Sequence, residues 1–208
     1  MINNCFKQKS KSSKCFDLIK PLLDKRQIGI WKANGANLPL PPCKKQEILK
    51  RYGKLFSLKI LIETGTYMGD MVWANKNYFD KIISIEIDYE LYKLAKKRFS
   101  KFNHIEIIHG DSGEILGKTI EKINQPCLFW LDGHFSGGIT GKGILETSII
   151  KELEHIYSHH INRHIILIDD ARLFNGQKDY PTIAELKNII LNKDCTYEIE
   201  EDIIRIIN

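Results

Sequence analysis

The sequence predicts a doubly wound α/β domain: a mostly parallel, seven-stranded sheet closed by a C-terminal antiparallel hairpin. Three observations predict it. Five short, Ile-rich apolar runs recur from residue 58 onward. Longer stretches separate them, and the clearest of these shows helical spacing. Two further short runs, at the C-terminus, are separated by Glu201 and Asp202 alone. Strands covered on both faces read as near-continuous apolar runs, and crossover helices make such strands parallel. A two-residue connection joins antiparallel partners.

The elements follow in order. Residues 1–54 hold 13 Lys/Arg against three Asp/Glu, a net +10 within a chain of net charge +5. This basic arm reads as a solvated, lysine-rich leader. Contact with nucleic acid is the alternative, although the Arg clusters and interleaved aromatics of RNA-binding segments are missing. L-P-L-P-P-C (38–43) places three prolines in four positions, which suits neither helix interior nor central strand. It is read as a joint, dividing the chain into an arm with its Pro-rich joint (1–43) and a main domain (44–208). A short helix is expected over Lys45 to Leu55.

Strands are then expected at K-I-L-I-E (59–63), K-I-I-S-I-E (81–86), H-I-E-I-I-H (104–109), C-L-F-W-L-D (127–132) and H-I-I-L-I-D (164–169). Between the second and third, Tyr89 to Phe99 carries Leu91, Leu94, Ala95 and Arg98 at helical spacing. T-Y-E-I-E (196–200) and I-I-R-I-I (203–207) form the hairpin.

Bulk properties bound the function. A chain of 208 residues, 43% hydrophobic and 27% charged, suits one globular domain with a terminal extension. No apolar run approaches the roughly 18 residues of a membrane span, and no apolar h-region follows the N-terminal lysines. The five cysteines (5, 15, 43, 127 and 195) include no C-x-x-C pair, which favours free thiols in a reducing cytoplasm over a disulfide framework or zinc knuckle. A homo-oligomer is left open.

In a doubly wound sheet, ligands bind beyond the carboxyl ends of the strands. Acids stand at all five: Glu63; Glu86 and Asp88; Asp111 in H-G-D-S; Asp132 in D-G-H; and Asp169 with Asp170. Helix capping alone does not explain so many. The turn after strand one, E-T-G-T-Y-M-G, lacks the lysine of a Walker loop and has only G-x-x-x-G where a nicotinamide site has G-x-G-x-x-G. Glu63 beside it would repel a phosphate and suit a cation. Glu86, about 20 residues on, is placed to accept ribose hydroxyls, and Asp111 to hold an adenine edge. A ligand with adenine, ribose and a positive centre is S-adenosylmethionine.

E-T-G-T-Y-M-G, I-S-I-E-I-D and I-I-H-G-D-S resemble the first three motifs of class I S-adenosylmethionine-dependent methyltransferases. K-K-Q-E-I-L-K-R-Y, F-W-L-D-G-H-F-S-G-G-I-T, I-L-I-D-D-A-R-L-F and D-I-I-R-I extend the resemblance to a largely uncharacterised bacterial group of such proteins, over roughly residues 38 to 208. The resemblance implies a Rossmann-like fold. It implies donor contacts from Glu63, Thr64, Gly65, Thr66 and Gly69, then from Glu86, Asp111, Ser112 and Asp132.

A second resemblance, to metal-dependent O-methyltransferases, implies that Asp132, Asp169 and Asp170 bind Mg²⁺ or another divalent cation. Neighbours in a strand point to opposite faces, so Asp169 and Asp170 can converge only if the strand has ended. His134 in the Gly-rich loop after strand four is the candidate base, with Asp132 the second catalytic candidate. Lys142 and Arg172 are candidates to steady an anionic acceptor. His155 and His159, four apart, lack the third ligand of a zinc site. Trp31, Trp73 and Trp130 read as core or rim aromatics.

The expected activity is O-methylation of a small hydroxylated acceptor, such as a sugar or secondary metabolite. The alternatives are a nucleic-acid methyltransferase using the basic arm, or a non-catalytic module that binds an adenosine ligand.

Overall fold

Seven strands hydrogen-bond in the order β3-β2-β1-β4-β5-β7-β6 in the computed structural model, which describes residues 14–133, 147–191 and 195–207. The strands are β1 (Ile60–Thr64), β2 (Lys81–Glu86), β3 (Ile105–His109), β4 (Cys127–Leu131), β5 (Ile165–Ile168), β6 (Thr196–Glu200) and β7 (Ile203–Ile207). The first five are mutually parallel, and β7 runs antiparallel to both β5 and β6. Glu201 and Asp202 both take positive φ, +55° and +63°, the backbone twist a two-residue hairpin turn requires.

The helices are α1 (Lys14–Ala33), α2 (Pro42–Leu55), α3 (Asp70–Asn75), α4 (Tyr89–Phe99), α5 (Ser112–Ile120), α6 (Ile149–Tyr157) and α7 (Ile183–Leu191). The Pro-rich joint opens α2 rather than merely preceding it. Pro42 is its first residue, a position where the missing N–H has no intrahelical partner to lose. The arm is helical over Lys14–Ala33; its first 13 residues lie outside the described residues. Lys20 Nζ donates to Gln46 Oε1 on α2 at 2.9 Å, and Trp31 Nε1 donates to the Asn37 carbonyl at 2.6 Å. Leu18, Leu22 and Ile30 stay exposed.

Side chains alternate across the sheet, so two cores form. On one face Ile62, Phe129 and Ile166 pack under Leu116 of α5, Leu153 of α6 and Leu186 of α7. On the other, Leu61, Leu128, Trp130 and Leu167 pack under Ile48, Leu49 and Tyr52 of α2 and Ala95 of α4. Each fully buried Leu or Ile contributes about 1.5–3 kcal/mol. Trp73 and Trp130 are buried, and Trp31 packs at the edge of the second core. Cys43, Cys127 and Cys195 are buried and form no disulfide among the described residues. Among the described residues no helix is long and apolar enough to cross a membrane.

This topology fixes the functional end. The strand order reverses between β1 and β4, whose last residues Thr64 and Leu131 are in register. At such a switch point the crossover helices leave to opposite faces and a crevice opens beyond the strand ends.

Candidate active site

The turn after β1 is held from three sides. Gly65 takes φ +84° and Gly69 φ +71°, a region that disfavours residues with a Cβ. A Cβ on Gly65 would stand 2.9 Å from the Asp132 carbonyl carbon, and closer still to its oxygen. The turn therefore lies directly on the end of β4. A Cβ on Gly69 would meet the Phe99 ring at 2.7 Å. From α4, Arg98 Nη1 donates to the Met68 carbonyl and, at 2.9 Å, to Asp70 Oδ1.

The turn's N–H groups face β2. Gly65 and Thr66 donate to the Ile85 carbonyl at 2.9 and 3.2 Å, and Tyr67 N donates to Glu86 Oε2 at 2.6 Å. A phosphate cradle needs such groups turned toward the ligand. Here three successive donors are already committed, which agrees with the absence of a Walker or dinucleotide pattern.

The acids at the strand ends divide into different roles. Glu63 is wholly buried beneath the turn, beside its register partner Ser84, whose Oγ donates to it. Ser84 Oγ also bonds Thr66 Oγ1 at 2.6 Å. Burial pushes the Glu63 carboxyl up to about 8, with Ser84 opposing and Glu86 adding to the shift. Near neutral pH it is therefore mainly an uncharged brace, not the exposed anion its position in the sequence suggests.

Glu86 ends β2 with each oxygen accepting one backbone N–H, from Tyr67 and, at 2.9 Å, from Asp88. Burial raises its pKa and these bonds oppose the rise. A carboxylate oxygen carries two lone pairs, so both oxygens keep capacity for ribose hydroxyls. Asp88 and Asp111 cap α4 and α5, accepting from Leu91 N and Gly113 N at 2.9 Å each. Asp111 Oδ1 also accepts from Ser148 Oγ at 3.0 Å. Ser112 Oγ donates to buried Glu152 Oε1 at 2.5 Å. Thr64 Oγ1, buried at the end of β1, has no hydrogen-bond partner among the described residues. Asp132 is half-buried at the mouth of the switch point, and its N–H donates to the Thr64 carbonyl at 3.2 Å.

At the end of β5 the two adjacent aspartates do converge. The strand stops at Ile168, and Asp170 takes φ +54°, so the alternation that would separate them is broken. They converge on the chain's own cation. Lys45 Nζ, from the first turn of α2, donates to Asp169 Oδ2 and, at 3.1 Å, to Asp170 Oδ1. Arg172 Nη1 holds Asp170 Oδ1 at 2.8 Å and also pairs with Asp202. Burial disfavours the Lys45 charge, but Asp169, Asp170 and Asp132 together more than offset it and raise its pKa. Burial also raises the Asp169 carboxyl, only partly countered by Lys45 and reinforced by Asp170.

A divalent ion at this position needs carboxylate oxygens free to ligate. Asp169 Oδ2 and Asp170 Oδ1 instead face an ammonium and a guanidinium, whose charge would repel a second cation, and among the described residues no three His, Cys, Asp or Glu side chains form a metal-binding group. As arranged, these residues do not fit Mg²⁺.

Asp169 Oδ1 is buried with no hydrogen-bond partner among the described residues. It lines a small cavity with Gly133, Thr147, Glu152 and Tyr180. A larger cavity of 610 Å³ lies among Lys50, Arg51, Lys54, Lys59 and Tyr78. It sits beside the amino ends of β1 and β2, the wrong end of the sheet for this chemistry.

Several sequence candidates fare differently. His134 and Lys142 lie outside the described residues. Arg172 is committed to Asp170 and Asp202. His155 and His159 bond the carbonyls of Gly113 and Ile120 at 2.9 Å each, tying the α6 region to α5 instead of forming a metal pair.

Sequence reasoning missed Lys45 and Glu152. Each lies on the buried face of an amphipathic helix. Lys45 aligns with Ile48, Leu49 and Tyr52, and Glu152 with Ile149, Leu153 and Ile156. A charge at a core position of the helical period was the available signal.

No family model matches the chain, and no curated protein sequence matches it. Solved structures do. The chain is similar to the methyltransferase PaMTH1 of Podospora anserina, described as SAH-bound, with a TM-score of 0.59 and 13% identity over 93% of this chain and 95% of that one. It is similar to an O-methyltransferase from Bacillus cereus, described in complex with SAH, at 0.58 and 10% over 88% and 90%. It is also similar to the O-methyltransferase TomG of Streptomyces achromogenes, described in complex with SAM, at 0.56 and 13% over 85% of each chain. The chain thus has the Rossmann-like methyltransferase fold.

Proposed function

We propose that the chain is an S-adenosylmethionine-dependent methyltransferase that methylates a hydroxyl of a small acceptor, such as a sugar or secondary metabolite. The observation that carries this reading is the crevice at the β1/β4 switch point. A glycine turn with no room for a Cβ closes on Asp132, and buried Glu86 stands at the end of β2 with lone pairs to spare. Neighbours of the same fold described in complex with SAM or SAH support the choice of donor.

When bound, S-adenosylmethionine supplies a methyl group on a sulfonium, so that attack of an acceptor oxygen on the methyl carbon would release the thioether S-adenosylhomocysteine and the hydroxyl's proton. Glu86 would take the ribose hydroxyls, each bond to a charged partner contributing about 1.5–3 kcal/mol. Asp111 and Ser112 would border the adenine. Gly65, Thr66 and Gly69 shape the floor, Thr64 Oγ1 offers an unused hydroxyl, and Asp132 stands at the mouth.

An acceptor hydroxyl is recognised by one donor and one acceptor side by side. Lys45 has three N–H groups and gives two to the aspartates; Asp169 Oδ1 is an acceptor without a partner among the described residues, on one of those same carboxylates. Lys45 and Arg172 balance the charges of Asp169 and Asp170, so this nearly neutral cluster suits an uncharged alcohol or phenol. Holding that oxygen in line with the methyl supplies most of the acceleration expected of such an enzyme.

The test is transfer of a labelled methyl from S-adenosylmethionine to a panel of phenols, catechols and sugars. Label recovered in an ether of one of them is expected. Donor binding without transfer to any member would favour the non-catalytic module, and transfer to RNA or DNA alone would favour the nucleic-acid alternative.

A further inference from the structure

We propose that Lys45 is the resident cation of this site: its ammonium stands between Asp169 and Asp170 in the position a divalent metal would otherwise take, so the chain holds its acceptor without one. The inference rests on the methyltransferase reading above and adds to it how the acceptor end is charged.

Three observations carry it. Lys45 Nζ bonds both carboxylates while the side chain is only 13% exposed, and that of Asp169 is 2% exposed. An ion pair so enclosed is stable only if its geometry recovers the loss of hydration, and here one ammonium serves two carboxylates at once. The backbone is also shaped for the pair. Asp170 adopts the left-handed conformation that brings its carboxylate to the same side as that of Asp169, a conformation disfavoured for residues other than glycine. Lastly, α2 delivers the lysine from its first turn. Leu49 and Tyr52, on the same helical face, are buried in the core beneath α2, so the lysine's backbone is fixed and its stem reaches the aspartates from a seated helix.

A lysine that merely anchors α2 would make much the same bonds. The distinguishing property is that the lysine fills a cation position, so removing it should leave one that a metal can enter.

The probe is Mn²⁺ alone, titrated against the full chain and followed by electron paramagnetic resonance. Wild type should leave the Mn²⁺ signal free. Lys45→Ala should bind one Mn²⁺ per chain at least about tenfold more tightly than wild type, because metal binding needs deprotonated carboxylates that are not already neutralised. The double variant Lys45→Ala/Asp169→Asn should lose that binding. If Lys45→Ala does not fold, Lys45→Gln keeps the stem length, lacks the charge and is read in the same way.

Stoichiometric Mn²⁺ binding to wild type that Asp169→Asn abolishes would overturn the proposal. So would a folded Lys45→Ala and Lys45→Gln that bind no more Mn²⁺ than wild type. S-adenosylhomocysteine affinity, measured on the same samples, reports on the donor site separately. Failure of the lysine proposal is thereby distinguishable from failure of the methyltransferase reading.

Discussion

Replacing Glu63 with Gln should change how stability depends on pH, and the sign follows from burial. The carboxyl has an ordinary value of 4.5 and is pushed up to about 8 in the folded chain, burial being the largest cause. Below 4.5 both folded and unfolded chains hold the proton, and its contribution to stability is fully present. Between 4.5 and about 8 the folded chain holds the proton and the unfolded chain has lost it. Unfolding then releases a proton, so stability falls as pH rises, by about 1.4 kcal/mol per pH unit, and by about 5 kcal/mol across the whole window. Above about 8 both states are ionised and the dependence stops.

Gln has the same shape and can accept the Ser84 hydrogen bond, but it has no proton to release. Glu86 and Asp169 also have raised values, but they remain in both proteins and largely cancel in the difference. The assay is urea unfolding of wild type and Glu63→Gln at several pH values from about 5 to 8. The Gln variant should gain on wild type steadily over that range. Stability curves that stay parallel would refute the placement of a neutral, buried Glu63 beneath the turn.

Gly65→Ala should cost about 1–3 kcal/mol of stability and most donor affinity, since the position combines φ +84° with a carbonyl in the way of any Cβ; thermal unfolding and calorimetry with S-adenosylhomocysteine check both. Asp88→Ala, which removes the cap from α4, should cost about 1 kcal/mol while changing donor affinity less than Glu86→Ala does, as read by the same two measurements. Leu153→Ala, at a fully buried site on the inner face of α6, should cost about 2–5 kcal/mol by urea unfolding.

The sheet was legible because its signals are local. Five Ile-rich runs with strongly polar ends, and a two-residue break at Glu201 and Asp202, reveal strands and hairpin without knowledge of contacts. The crevice was legible for the same reason: the fold class places strand ends together, so acids there share a neighbourhood. What each acid does there was not legible. Asp88 and Asp111 are helix caps, and Glu63 turns under the backbone; those outcomes depend on where Leu91, Gly113 and Ser84 come to lie.

The charge at the acceptor end was missed for a different reason. Lys45 and Asp169 are 124 residues apart, and a lysine beside Lys44 reads as solvated. Only its alignment with Ile48, Leu49 and Tyr52 marks it as facing inward. The arm's helix over Lys14–Ala33 was hidden as well, because its exposed Leu18, Leu22 and Ile30 give no amphipathic face covered by the domain.

The most direct test of the donor site is the affinity of S-adenosylhomocysteine for wild type and Glu86→Ala by calorimetry. Wild type should bind one equivalent, and the folded variant should bind at least about tenfold more weakly, the least loss expected when charge-assisted bonds worth about 1.5–3 kcal/mol each are removed. Equal affinity in a folded Glu86→Ala, or no binding by wild type, would contradict a donor site at the carboxyl ends of β1, β2 and β4.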